Sequence, residues 1–135
     1  MITHTGTYAI RAVVYLAEAL ARDGADANVT AEEIAHATHA PQNYLTKILH
    51  ALVRAGLLDS TRGPRGGFRL AEGAEGMTLK DVLKVFENVP SRGCLLSQEG
   101  CIEGVHCPSF ERCLALTTQV DRFLSTTRVL DLAGA

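Results

Sequence analysis

Residues 41–71 read PQNYLTKILHALVRAGLLDSTRGPRGGFRLA, and their pattern decides the fold. Leu45, Ile48, Leu49 and Leu52 recur at helical spacing and form one apolar stripe. Asn43, Thr46, Lys47 and His50 fall at i, i+3, i+4 and i+7 on a second face, and each can hydrogen-bond. The predicted helix has Pro41 in its first turn, runs to about residue 55 and stops at Gly56. Residues 57–61 then read as a strand and 68–70 as its return. The turn between them is RGPRGG, whose glycines, Gly66 among them, let the backbone approach a partner closely. Arg62 and Arg65 project from this turn, with Arg69 just beyond. An arginine-tipped hairpin placed directly after such a helix is how winged helices grip phosphates and the minor groove.

Upstream, Ile10, Val13, Val14, Ala17 and Leu20 predict a first amphipathic helix over 8–21, followed by a polar loop at 22–28. Thr30 opens TAEE, where its hydroxyl caps a short helix over 31–38 and Glu33 reaches back in a capping box. A short helix, a tight turn and a second helix with a polar N-terminal face form a helix-turn-helix, shaped to enter a major groove. An ordinary helical hairpin has the same local pattern; the wing behind it favours the DNA-binding reading. Downstream, residues 71–76 read as a linker, and Thr78 caps a helix over 79–87 that ends by 90–92. A last long helix begins at residue 109 or 110 and runs to about 126, with Leu116, Val120, Phe123 and Leu124 at helical spacing. Beyond a complete winged domain it has no core of its own to cover, so it is expected to pair with its counterpart in a homodimer. The predicted fold is mainly α with a small β-hairpin wing: a winged helix-turn-helix over 1–76, then over 77–135 a helix, a cysteine loop (92–113) and a dimerisation helix.

The chain has 135 residues, enough for one ordinary domain, and its net charge of −2 hides an uneven distribution. Between residues 40 and 70, Lys47, Arg54, Arg62, Arg65 and Arg69 stand against Asp59 alone, whereas both flanks are acidic. One basic segment between two acidic ones suits a polyanion partner, although a solvated basic face would look the same. Hydrophobic content of 47% with only 5% aromatics suits a helical Leu/Ala/Val core and excludes general disorder. The N-terminal MITHTGTYAI turns amphipathic at once, without a secretory signal, and no stretch is long and apolar enough to span a bilayer. The expectation is a cytoplasmic protein with no membrane partner.

All four cysteines, Cys94, Cys101, Cys107 and Cys113, fall within twenty residues, separated by six, five and five polar, glycine-bearing positions. Core cysteines scatter among aliphatic residues; these are bunched where several sulfurs can converge. In a reducing compartment such a cluster points to metal binding or redox activity rather than a disulfide framework. Structural zinc usually takes ligands two to four residues apart, closer than these. An iron–sulfur cluster, zinc and a thiol–disulfide switch remain open on spacing alone. His4, His36, His39 and His50 read as surface or groove residues.

The segments TYAIRAVVYLAE at 7–18, PQNYLTKILHALVRAGLLDSTRGPRGGFRLA at 41–71 and STTRVLDL at 125–132 resemble the Rrf-two family of bacterial winged-helix regulators, the IscR and NsrR type. The resemblance runs nearly end to end, and 44–70 is its most specific part. It implies a homodimeric transcription factor, a repressor, that reads a pseudo-palindromic double-stranded operator through Asn43, Thr46 and Lys47 and through Arg62, Arg65 and Gly66 of the wing. It also implies an iron–sulfur cluster, 2Fe–2S or 4Fe–4S, on the cysteine loop. IscR-like members add a histidine three residues after the last cysteine, where this chain has Leu116; NsrR-like members add a carboxylate near the start of helix 1, where it has Thr7 flanked by Thr5, Gly6 and Tyr8. Cys94, Cys101, Cys107 and Cys113 are therefore expected to supply all four ligands, with His106 and Glu111 as substitutes.

The sequence offers no nucleophile–base pair, no GxxxxGK loop and no HExxH, so no enzyme is expected. The competing readings are a cysteine-ligated redox or metal-carrier protein, and a regulator that senses thiol redox, heme or another small molecule without a cluster.

Overall fold

The computed structural model describes residues 3–24, 27–64, 66–86 and 107–133. Its elements run α1 (His4–Asp23), α2 (Ala31–Thr38), α3 (Gln42–Arg54), β1 (Leu58–Thr61), β2 (Gly67–Leu70), a 3-10 turn (Ala74–Gly76), α4 (Leu79–Leu83), α5 (Phe110–Thr126) and α6 (Val129–Leu132). The architecture is mainly helical with one antiparallel hairpin, as the sequence predicts.

Helix α1 starts four residues before the predicted residue 8, because Thr3 caps it: the Gly6 N–H donates to Thr3 Oγ1 at 3.1 Å. Ala9, Ala12, Val13, Leu16 and Ala17 bury its inner face, and these mostly small residues let α2, α3, α4 and α6 pack closely around it. Thr30 caps α2 as expected, accepting from the Glu33 N–H at 3.2 Å. The Glu33 carboxylate does not complete the expected capping box. It accepts from the Tyr15 hydroxyl at 3.0 Å and ties α2 to α1 instead. Pro41 stands one place earlier than expected, as the N-cap of α3.

The hairpin pairs Leu58 with Leu70 and Thr61 with Gly67. Val29 adds a bridge on its inner edge, exchanging backbone hydrogen bonds with Phe68 at 2.7 and 3.0 Å. Thr78 and Asp81 form a complete capping box on α4. This helix stops at Leu83, short of the predicted residue 87, because the N–H groups of Val85 and Phe86 reach back only three residues, to Val82 and Leu83. Residue 87 and the expected break at 90–92 lie outside the described residues.

The C-terminal part folds back on its own chain. Leu79 N–H donates to the Thr127 carbonyl at 3.0 Å and Val129 N–H to the Met77 carbonyl at 2.8 Å, a backbone clip holding the end of α5 to the start of α4. Leu124 of α5 and Val129 of α6 are buried in the same core as α1 and α3. The expectation that the last long helix lacks a core within its own chain is thus corrected: one face of α5, with Cys113, Thr117 and Leu124, is covered intramolecularly. The neighbouring strip is open, with Leu116 51% and Phe123 55% exposed and Val120 half-buried between them.

Candidate nucleic-acid interface and cysteine site

Burial fixes how α3 is turned. Leu45, Ile48, Leu49 and Leu52 are all buried, as the stripe predicts, and removing any one of the leucine side chains would cost about 2–5 kcal/mol. At its end Gly56 takes φ +83°, and Leu57 N–H closes back on the Leu52 carbonyl at 3.0 Å. With the apolar stripe anchored, Gln42, Asn43, Lys47 and His50 are exposed. Thr46 is half-buried, and its hydroxyl donates to the Gln42 carbonyl at 2.8 Å. What Thr46 retains for a partner is its acceptor lone pairs and a methyl group. His50 also stacks edge-on against Phe68 of β2, 5.6 Å between ring centres, which fastens the helix to the wing.

Arg62 is exposed at the tip of β1. Gly66 is demanded by the turn itself, since a Cβ there would stand 2.2 Å from the Thr61 carbonyl oxygen. Gly67 is demanded by the close approach of Val29, whose carbonyl oxygen would be 2.6 Å from a Cβ. Arg65 lies outside the described residues. Arg69 is half-buried on β2, directly across the ladder from Asp59. The ion pairs among the described residues are Arg22–Asp23, Lys80–Asp121, Lys84–Asp81 and Arg128–Asp131, all outside the basic segment. Lys47 on α3 and Arg62 at the wing are both exposed, with no acid paired to either among the described residues.

Gln42 and Tyr44, in the first turn of α3, join the candidate face although the polar i, i+3, i+4, i+7 pattern does not include them. Gln42 is exposed beside Asn43, and only its position at the helix start could have marked it. The Tyr44 hydroxyl is hydrogen-bonded to Thr5 Oγ1, and its ring meets Tyr8 edge-on at 5.9 Å. An aromatic on an otherwise polar turn was the available signal.

Of the four cysteines, Cys107 and Cys113 are described; Cys94 and Cys101, with His106, lie outside the described residues. Cys107 is half-buried just before α5, and its carbonyl accepts from Phe110 N–H at 3.0 Å. Cys113 closes the expected cysteine loop and falls within the last helix expected from residue 109 or 110. It is inside α5, 7% exposed, its N–H bonded to the Ser109 carbonyl at 2.8 Å and its carbonyl accepting from the Thr117 hydroxyl at 2.9 Å. Glu111 is exposed on the same helical turn, and Leu116 points outward. Among the described residues, no group of three or more His, Cys, Asp or Glu side chains is placed to hold a metal ion.

The family model described as Rrf2, iron-dependent transcriptional regulator, matches residues 2–135. The chain belongs to the Rrf2 family. An HTH-type transcriptional regulator of Aquifex aeolicus is 33% identical to it, covering 98% of this chain and 90% of its relative. The HTH-type transcriptional regulator IscR of Cereibacter sphaeroides is 32% identical, covering 94% and 83%. Among solved structures, CymR, the global cysteine regulator of Bacillus subtilis, superposes with a TM-score of 0.81 over 98% of this chain and 95% of its own, at 24% identity, a likeness of fold. As an Rrf2 protein the chain is a DNA-binding transcriptional regulator and not an enzyme. In this Rrf2 fold α2 and α3 are the helix-turn-helix and β1–β2 the wing. No helix among the described residues is long and apolar enough to cross a membrane.

Proposed function

We propose that this Rrf2 protein is a cytoplasmic repressor that binds a pseudo-palindromic operator as a homodimer, with binding set by an iron–sulfur cluster on its cysteines. The observation that carries the DNA-reading part is the exposed first half of α3, with Asn43 and Lys47 outward and Arg62 exposed on the wing that follows, all free of acid partners among the described residues. Asn43 suits the edge of an adenine and Lys47 that of a guanine or a phosphate, while Thr46 offers an acceptor or its methyl group. Arg62, Arg65 and the backbone at Gly66 then meet phosphate or the minor groove.

The open strip of Leu116, Val120 and Phe123 supports pairing of two copies through α5, since a monomer would leave these side chains in water. A palindrome requires two recognition helices about 34 Å apart, so a change in the angle between protomers alters affinity.

The donor chemistry fits an iron–sulfur cluster. Thiolates are its usual ligands, and Cys107 lies accessible at the point where the chain enters α5. Bound there, the cluster would supply a centre whose charge and ligation change with redox conditions. Cys94, Cys101, Cys107 and Cys113 are the proposed set, with Cys113 contributing from the helix. The rest of the chain carries the consequence: a shift at the start of α5 passes through the Lys80–Asp121 pair and the 127–129 clip to α4, and through α6 to α1.

Four single Cys→Ser variants, reconstituted anaerobically and scored by iron, sulfide and visible spectrum, test the ligand set. Four damaged clusters support it. An unaltered cluster in Cys113→Ser would make that thiol a packing residue of α5 and give the fourth position to another donor. No cluster in the wild-type protein would favour a cluster-free thiol sensor.

A further inference from the structure

Among the described residues, three helices open on a threonine whose hydroxyl accepts a backbone N–H: Thr3 for α1, Thr30 for α2 and Thr78 for α4. The recognition helix α3, like α5, does not. Its N-cap is Pro41, which makes no side-chain capping bond, so the turn bearing Gln42 and Asn43 lacks the usual anchor. Tyr44, the third residue of that turn, is gripped from outside the helix at two points. Its hydroxyl is hydrogen-bonded to Thr5 Oγ1, and its ring packs edge-on against Tyr8 with the planes at 81°. Thr5 and Tyr8 are three residues apart on one face of α1, in and just beyond its own capped first turn.

We propose that Thr5 and Tyr44 are positioning residues for DNA readout: their hydroxyl–hydroxyl bond ties down a first turn of α3 that no side chain caps, and so sets its rotation. The side chains directly before Tyr44, Gln42 and Asn43, are exposed and within the same turn, so their aim follows Tyr44. Base-edge hydrogen bonds tolerate only small angular errors, whereas phosphate contacts from Lys47 and Arg62 are more forgiving. Loss of the tie therefore removes discrimination before it removes general DNA affinity. The inference rests on the DNA-reading proposal above.

The test compares Tyr44→Phe, Thr5→Val, the double variant and Thr5→Ser, each binding its selected operator and a random duplex of equal length over a range of salt. Tyr44→Phe keeps the ring on Tyr8 and removes only the hydroxyl. Each of the first two variants should bind operator roughly 3- to 10-fold more weakly, the scale of one lost hydrogen bond. The double variant should be no worse than either single one, and Thr5→Ser should restore binding. Random-duplex affinity and its salt slope should stay unchanged. Wild-type operator binding by Thr5→Val overturns the tie. So does an equal loss on both duplexes in Tyr44→Phe with a shallower salt slope, because that marks a direct contact from tyrosine to phosphate. A wild-type protein with no preference for any operator overturns the DNA-reading proposal itself.

Discussion

Lys80 Nζ lies 2.7 Å from Asp121 Oδ1, an ion pair that fastens the short helix α4 to the middle of α5. Both side chains are about one-third exposed, so the pair is neither a solvated surface contact nor a buried charge pair. Together with the clip between 77–79 and 127–129, it makes the direction of α5 depend on α4, which packs on α1.

Asp121→Asn should destabilise the protein by about 0.5–1 kcal/mol, the upper range for a partly exposed pair. That corresponds to a fall in melting temperature of roughly 2–4 °C for a chain of this size. The gap should narrow in about 1 M salt, where screening is short-ranged. An unchanged melting temperature at low salt would show that the clip alone holds α5.

The Asp81 carboxyl is held below the usual carboxylate range, first by the hydrogen bond it accepts from the Thr78 backbone N–H and further by Lys84. A carboxyl with a depressed folded pKa stabilises the fold fully above its unfolded value, about 3.9, and loses that contribution as pH falls through the folded value. Asp81→Ala should therefore cost about 1 kcal/mol near neutrality, the scale of a lost cap, and progressively less below about pH 4. Thermal unfolding of both proteins between pH 7 and pH 3 checks this; a constant gap would contradict it.

Replacing Leu116 and Phe123 together by Glu places charge on the open strip of α5 without touching its buried face. Sedimentation should show the wild type near twice its 14.5 kDa chain mass and the variant near that mass, with the same helical circular dichroism. A wild-type monomer at micromolar concentration would remove α5 as a dimer interface.

Arg62→Ala should weaken binding to operator and random duplex alike and reduce the salt slope by about 0.9, as expected for one lost phosphate contact. Asn43→Ala should instead relax preference at one base pair by about 1–3 kcal/mol. Competition binding against single-base operator variants separates the two; identical behaviour of both variants would contradict the division of roles.

The features legible in the sequence were local ones. The Leu45–Leu52 stripe, the threonine caps at 30 and 78, the Gly56 stop and the RGPRGG turn each announce themselves within a few residues, and the structure places them within a residue or so of expectation. What stayed hidden depends on partners far along the chain. Glu33 turns to Tyr15, Val29 to Phe68, and Thr127 to Leu79, and no periodicity in one segment reveals the other member. The early start of α1 was missed because HTGT has little helical character apart from its cap at Thr3. α6 is a single short turn without an apolar repeat of its own. At the candidate sites, the outward face of α3 was readable, whereas the tie from Tyr44 to Thr5 and the burial of Cys113 required the folded chain.

In the proposed mechanism one DNA-reading dimer is switched by its cysteine site. The most direct measurement is operator affinity of a single anaerobic preparation before and after cluster removal, using a duplex selected from a random library. A dyad-symmetric sequence with half-sites about one helical turn apart should be enriched, and the two forms should differ at least tenfold in affinity, about 1.4 kcal/mol. Equal affinity of the two forms for that duplex, with cluster content verified by iron and sulfide counts, would contradict it.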